Sequence, residues 1–379
     1  MSVEIKIVKS KSDLREFIFL PSKLYSDRAT WVPPLYMDEW KFYDPHQNTS
    51  LAHCDTILFL AYENENCVGR IMGIIPHPYN RLMNVQSARF FQLDCFNDAV
   101  ISHALITAVE KWAIQKGSTT MIGPYGFSDK DPQGLQVEGF EHLPVLATPT
   151  NPPYLEKLVA NERYSKLIDC ISYKLNIPKE FPEFYKRIYQ RAIRNNNVRM
   201  AEFKKRSELK PYIVPIFRLI NETYKDLFGF VPLEEAEMFE MAKKYLPILN
   251  PAYVKIILDV KNEPVAFVIA MPDMSRGIQK AKGKLFPIGF IHILGSAKKT
   301  AQLDLFLGAV KEEYQGKGLT SILGINLMDT ARKHGLTYID SHLILESNLK
   351  MRAELERLGG TIYKRYRVFM KNLSNESKN

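Results

Sequence analysis

Val310-Lys311-Glu312-Glu313-Tyr314-Gln315-Gly316-Lys317-Gly318-Leu319-Thr320 joins an alternating apolar stretch, residues 302–310, to a helically spaced one, residues 321–334. The order of strand, Gly-rich turn and helix suits an anion such as a pyrophosphate. Gly316 and Gly318 let backbone amides approach the anion, and the helix start adds N–H groups without intrahelical acceptors and the positive end of the dipole. Ordinary strand-to-helix turns also use Gly-x-Gly, so the loop alone leaves both readings open.

The residues beyond the turn have their own order. Residues 338–345, Tyr-Ile-Asp-Ser-His-Leu-Ile-Leu, read as a strand, and Glu346, Ser347 and Asn348 come next. Helical spacing runs over residues 351–358, then Gly359-Gly360, then a β-rich stretch over 361–370 with Tyr363, Tyr366 and Phe369. The turn, Gln-x-x-Gly-x-Thr, resembles the Arg/Gln-x-x-Gly-x-Gly/Ala loop with which the GNAT acyltransferase superfamily holds the pyrophosphate of coenzyme A, with Thr320 where a smaller residue is usual. Asn348, ten residues before Leu358, is similar in placement to the Asn that ends the fifth strand of that superfamily. The resemblance implies a mixed-sheet α/β (α+β) fold and a co-substrate, acetyl-CoA or a longer acyl-CoA. Its expected contacts are Leu307, Gly308, Ala309 and Val310, then Gln315, Gly316, Lys317, Gly318, Leu319 and Thr320, and Asn348.

At 379 residues, 46% hydrophobic and 25% charged, the chain has the size and composition of a globular protein of two ordinary domains. Its net charge of +9 favours acidic ligands such as CoA phosphates, anionic membranes or nucleic acid, or reflects a generally basic surface. Cys54, Cys67, Cys95 and Cys170 show no zinc spacing, so they read as free buried thiols and no metal is expected. The N-terminus lacks the apolar stretch of a signal peptide, and no uncharged apolar run approaches the ~20 residues that span a bilayer. The expectation is a cytoplasmic protein or one held peripherally at the inner membrane face.

The second half reads as β-α-α-β-β-β-α-β-α-β, with a first strand at 198–203, helices at 208–227 and 232–246, and a hairpin of 253–260 and 265–271. Much of this order recurs in the first half, in strands at 5–8, 57–62, 67–75, 88–96 and 119–123 and helices from Asp13 and over 98–116. The join falls near 176–183, where Pro178 and Pro182 interrupt the periodicity. The expectation is therefore two tandem GNAT-like domains, a degenerate one at 1–178 and a CoA-binding one at 179–370, and a disordered polar tail at 371–379. After 88–96 the first half passes straight through Asn97-Asp98 into its helix, without a Gly-rich turn. One CoA site is expected, with the first half structural or lining the acceptor pocket.

A narrower resemblance spans most of the chain. Trp31-Val32-Pro33-Pro34, Val68-Gly69-Arg70-Ile71, Gly123-Pro124, Glu138-Gly139-Phe140 and Asn151-Pro152-Pro153-Tyr154, then Leu285-Phe286-Pro287, Glu346-x-Asn348 and Tyr363-Lys364, are similar to a bacterial family of tandem GNAT proteins that includes the bacterial ceramide synthases. The resemblance implies an acyl-CoA-dependent N-acyltransferase acting on an amine, either a small molecule or a lipid-like long-chain base. Nucleic acid is not expected as a partner. Aminoacyl-tRNA-dependent transfer and a non-catalytic CoA- or lipid-binding role are the rival readings.

Acyl transfer to an amine needs a neutral nucleophile, polarisation of the carbonyl and a proton for the departing thiolate. Asp304 lies among Leu303, Leu305 and Phe306 on the strand that enters the turn. Buried there, a carboxylate has a raised pKa and suits a base near neutral pH; on the wet face it would pair with a lysine instead. Many GNAT enzymes carry a proton-donating Tyr seven residues past the Asn, and here that position is Leu355. Glu346 is the second catalytic candidate, and His342 reads as a packed strand residue.

Residues 273–299 exceed the short link usual between the third and fourth GNAT strands. Arg276, Lys280, Lys282 and Lys284 precede the apolar run 285–294, and Lys298-Lys299 come after it. Such a segment fits a membrane interface, an acyl chain, or a helix packed on the core with solvated lysines at its ends.

Overall fold

The computed structural model describes residues 2–146, 148–181 and 183–373. In chain order the elements are β1 (Glu4–Ile7), α1 (Lys11–Tyr25), α2 (Tyr36–Phe42), β2 (Cys54–Glu63), β3 (Asn66–Pro76), α3 (His77–Met83), β4 (Ser87–Cys95), α4 (Ala99–Gln115), β5 (Thr120–Gly123), β6 (Leu135–Glu138), α5 (Tyr154–Asn161) and β7 (Ser165–Asn176). They continue as α6 (Glu183–Asn196), β8 (Arg199–Ala201), α7 (Ile213–Tyr224), α8 (Glu235–Tyr245), β9 (Val254–Leu258), β10 (Pro264–Pro272), α9 (Ser275–Lys280), α10 (Gly289–Lys299), β11 (Gln302–Val310), α11 (Leu319–Lys333), β12 (Tyr338–Asp340), β13 (Ile344–Leu345), α12 (Leu349–Arg357) and β14 (Thr361–Asn372).

The strands form one mixed sheet, ordered β1-β2-β3-β4-β5-β14-β7-β12-β11-β10-β9-β8. Five strands of the first half and five of the second run outward from the centre in mirrored order. At the centre the halves trade partners. β14 pairs with β5 through Phe369–Gly123 to Asn372–Thr120, and β7 pairs with β12 through Tyr338–Asn176 to Asp340–Lys174. β7 and β14 also pair with each other, Thr361–Lys174 to Met370–Ser165.

Helices cover the sheet with the stripes their periodicity dictates. α4 starts at Asp98, whose carboxylate accepts from the Val100 amide at 2.7 Å, and buries Ile101, Leu105, Ile106 and Val109 against β2 to β4. α11 starts at Gly318 and buries Leu319, Ile322, Leu323 and Leu327. Each fully buried Leu or Ile contributes about 1.5–3 kcal/mol relative to exposure.

The structure departs from the sequence reading in several places. Residues 338–345 are two short strands rather than one. The helix expected over 208–227 begins at Ile213, after a 3-10 turn at Arg206–Tyr212 where Pro211 has no N–H to continue a helix. β7 and α6 are additional elements; β7 carries buried Asp169 and Ser172 that break its apolar run. Part of the polar tail expected over 371–379 belongs to the sheet instead: Lys371 and Asn372 pair with β5, and Leu373 is buried. Residues 374–379 lie outside the described residues.

Candidate functional site

β11 and β12 are parallel neighbours for only three residue pairs, Gln302–Tyr338, Leu303–Ile339 and Asp304–Asp340. β11 then continues beside β10 to Val310, whereas the backbone leaving β12 turns away at Ser341 and His342 and pairs with β7 again as β13. His342 sits at φ 57°, a left-handed conformation that ends the strand, so it is not the regular strand residue expected. Phe306 is the extra residue of a bulge, since Leu305 faces Ala270 and Leu307 faces Ile269. The result is a wedge between parting strands, with Asp304 and Asp340 at its apex and the Phe306 and His342 rings 5.4 Å apart beyond them.

The apex is buried and ionisable. Asp304 is 1% exposed, and its Oδ1 accepts from Gln302 Nε2 at 2.6 Å; Tyr338 donates its hydroxyl to Gln302 Oε1 at 2.8 Å. Oδ2 of Asp304 receives no donor among the described residues. Asp340 accepts from Lys364 Nζ at 2.7 Å, from the Tyr363 hydroxyl and from the His342 amide at 2.7 Å. The Asp340 and Lys364 side chains are wholly buried. A third buried carboxylate, Asp273, caps the turn into α9 by accepting from the Ser275 amide at 2.9 Å.

These neighbours set the charge of Asp304. Burial first, then the carboxylates of Asp340 and Asp273, push its pKa well above the usual aspartate range, against the opposing pull of Gln302 and Lys364. Burial disfavours the Lys364 ammonium, but Asp340, Tyr366 and Asp304 together outweigh that, and the Lys364 pKa is raised. Burial also lowers the His342 pKa, so the ring is neutral near pH 7. Its Nε2 faces the Leu146 carbonyl at 3.3 Å.

The Gly-rich turn lies at the other end of β11. Gly316 and Gly318 take φ of 73° and 86°, and the space where a Cβ of Gly316 would sit is empty to 4 Å. The amides of Gly318, Leu319 and Thr320 have no backbone acceptor among the described residues. The Gln315 side chain ties the loop down, donating to the Val310 carbonyl at 3.2 Å and accepting from Lys350 Nζ at 3.1 Å. Leu319 and Ala309 are core side chains, so only their backbone is free for a ligand contact. Gly308 accepts from the Tyr224 hydroxyl at 2.9 Å, whereas Leu307 packs on the α7 core.

Two expected residues are occupied elsewhere. Asn348 caps α12, accepting from the Met351 amide at 3.2 Å. Glu346 accepts from the Asp169 amide at 3.0 Å and from Lys166 Nζ at 2.8 Å, which ties it to β7 rather than to Asp304. Leu355 lies in the core under α12. Asp340, Lys364 and Tyr363 were not singled out as site residues by their sequence. A charged residue inside each of two β-rich runs was the available signal.

The first half repeats the geometry without the chemistry. β4 and β5 also pair three times, ending at Arg89–Ile122. Arg89 is buried, donates to the Gly126 carbonyl at 2.8 Å and lies 4.4 Å above the Tyr125 ring and 4.7 Å from that of Tyr79. Tyr125 donates its amide to Phe90, and the Phe42, Phe91 and Phe127 rings fill the space beside β4. Where the second half has Gly318, the first has the capping carboxylate of Asp98, which disfavours an anion. Two surface clefts of about 560 Å³, one around Lys204 to Pro251 and one around Trp40, lie away from the wedge and hold no comparable cluster. No group of three or more His, Cys, Asp or Glu among the described residues is placed to hold a metal.

The whole chain superposes on a tandem GNAT protein from the clavulanic acid biosynthesis pathway, with TM-score 0.57, 12% identity and coverage of 98% of this chain and 99% of that one. The chain has the tandem GNAT fold. A GCN5-related N-acetyltransferase from Sphaerobacter thermophilus gives TM-score 0.55 at 10% identity, over 98% of this chain and 96% of the other. By sequence it is 28% identical to a bacterial ceramide synthase of Caulobacter vibrioides, over 97% of this chain and 96% of the relative. It is 26% identical to Protein YghO of Escherichia coli K12, over 97% and 95%. No family model matches.

Proposed function

We propose that this tandem GNAT is an N-acyltransferase that takes an acyl group from acyl-CoA in the wedge of its second half and passes it to an amine. The observation that carries the reading is the union, in that half alone, of parting strands, a Gly-rich helix start and a buried high-pKa carboxylate. Gly316 to Thr320 would hold the pyrophosphate, and β11 beyond Asp304, paired only with β10, leaves an edge for the amides of the pantetheine arm.

In the reaction the amine nitrogen attacks the thioester carbon, a C–N bond forms and the C–S bond breaks. Asp304, in its ionised fraction, removes the proton from nitrogen. The thiolate leaves with a pKa of about 8.5, so solvent can protonate it where Leu355 cannot. The name of the Caulobacter relative and the apolar surface of α10 favour a long-chain amino alcohol as acceptor. Leu355 favours, as second reading, a protein that binds CoA without turnover. Mass spectrometry of the purified protein with acetyl- and palmitoyl-CoA and a sphingoid-type base tests the proposal: an amide product is expected. Absence of both CoA binding and product overturns it, and tight CoA binding without product for any amine favours the second reading.

A further inference from the structure

The segment between β10 and β11 carries six cations, Arg276, Lys280, Lys282, Lys284, Lys298 and Lys299, and no carboxylate from residue 274 to residue 303. All six are exposed, and none forms an ion pair among the described residues. Between them the apolar side chains do not pack on the core. Phe286, Ile288, Phe290, Ile291 and Leu294 are exposed, from 42% at Phe290 to 73% at Phe286, while Ile293 on the same helix is buried. Phe290, Leu294 and Lys298 succeed one another at one-turn spacing, giving an apolar stripe that ends in a cation.

The inner side of the segment is fixed. A Cβ on Gly277 would stand 2.6 Å from Ile293 Cα, so α9 and α10 are in close contact. Gln279 Nε2 donates to the Ala29 and Trp31 carbonyls at 2.8 and 2.9 Å, and the Tyr36 amide donates to Gly283 at 3.0 Å. The exposed rings therefore belong to a braced platform. Its base is the apex of the wedge: the Asp273 amide donates to the Gln302 carbonyl at 3.1 Å, and Gln302 holds Asp304.

We infer that the α9–α10 platform docks on an anionic lipid surface, with Phe286, Ile288, Phe290, Ile291 and Leu294 in the acyl boundary and the flanking lysines at the phosphates. An apolar patch rimmed by unpaired cations is complementary to such a surface on both counts. A second copy of this chain is a poor occupant, since the six cations of each copy would face the other six across a twofold contact. The inference stands on this surface and does not depend on the proposed catalysis; if both hold, docking brings a membrane-borne amine to the mouth of the wedge.

The test is co-sedimentation of the full chain with vesicles of phosphatidylcholine alone and of equal parts phosphatidylcholine and phosphatidylglycerol, at low and high salt. Binding is expected to the mixed vesicles, weakened by salt because exposed charges are screened over ~8 Å at physiological ionic strength. Phe286→Ser/Phe290→Ser should reduce partitioning by roughly tenfold, and Lys298→Glu/Lys299→Glu should reduce it and flatten the salt dependence. Circular dichroism and CoA affinity check that both variants are folded. No binding to mixed vesicles, or variants that bind as the parent does, overturns the inference. So does a dimer in light scattering that Phe286→Ser/Phe290→Ser disperses, which would make the patch a self-association face. Loss of vesicle binding with CoA binding intact separates this result from the proposed enzyme function.

Discussion

Asp304 and Arg89 occupy the same register position in the two halves: each makes the last parallel pair before its neighbouring strand departs. One half thus carries a carboxylate of raised pKa at the apex, and the other a guanidinium locked between two tyrosine rings. The second arrangement puts a buried cation where the first has a carboxylate. The two halves share this frame, and their side chains set them apart at its apex.

CoA should bind only at the turn of the second half. Gly318→Val places a β-branched residue at φ 86° and fills the approach to the helix start, so calorimetry should show at least tenfold weaker CoA binding, ~1.4 kcal/mol. Asp98→Ala at the corresponding helix of the first half should leave CoA affinity as it is. Equal affinity for the Gly318 variant, with the fold intact, removes the loop from the site.

Asp304→Asn should lower turnover by roughly 10² or more while CoA affinity holds. Because burial and the neighbouring carboxylates raise the Asp304 pKa, kcat/KM of the parent should climb with pH until that group is ionised. A flat profile between about pH 5 and about pH 8 would take Asp304 out of the base role.

The same group makes a stability prediction of definite sign. Above the ordinary aspartate value of about 3.9 the unfolded chain has lost the proton that native Asp304 retains, so stability falls as pH rises toward the folded pKa. Asp304→Asn removes this slope. Urea denaturation at about pH 5 and about pH 8 should show the variant gaining on the parent at the higher pH, and the opposite trend contradicts the burial argument.

Lys364→Met should destabilise by about 3–5 kcal/mol, since it strands the Asp340 carboxylate in a site with no exposure. Pairing it with Asp340→Leu should recover most of that loss. A single variant as stable as the parent would mean that the pair is not closed to water.

The parts of the site made by neighbours in sequence could be read in advance. β11, the Gly-rich turn and α11 follow from alternation, two glycines and helical spacing within one stretch, and Leu355 was visible as a missing hydroxyl. The Asp340–Lys364 pair could not be read that way, because residue 364 reaches β12 only through β14 and β7, whose pairing is set by tertiary contacts. β7 itself was obscured by Asp169 and Ser172: Asp169 is buried because partners such as Arg367, at 2.9 Å, arrive from the other half, whereas the Ser172 hydroxyl is buried without a hydrogen-bond partner among the described residues. The apolar run 285–294 left packing and surface exposure open, since spacing alone does not say what covers a helix face.

The trading of β7 and β14 constrains how this protein is made. β5 is synthesised before most of the chain, yet its neighbour in the sheet is β14, translated after all the other strands and helices. A ribosome-bound chain ending before residue 361 has an open edge at β5 and another at β7. Such edges recruit foreign strands, and pairing across so long a separation is slow. The nascent protein therefore waits, with its central seam unzipped, until β14 has emerged, and a truncation that spares the whole Gly-rich turn but removes β14 should yield an aggregate rather than a weakened but folded protein.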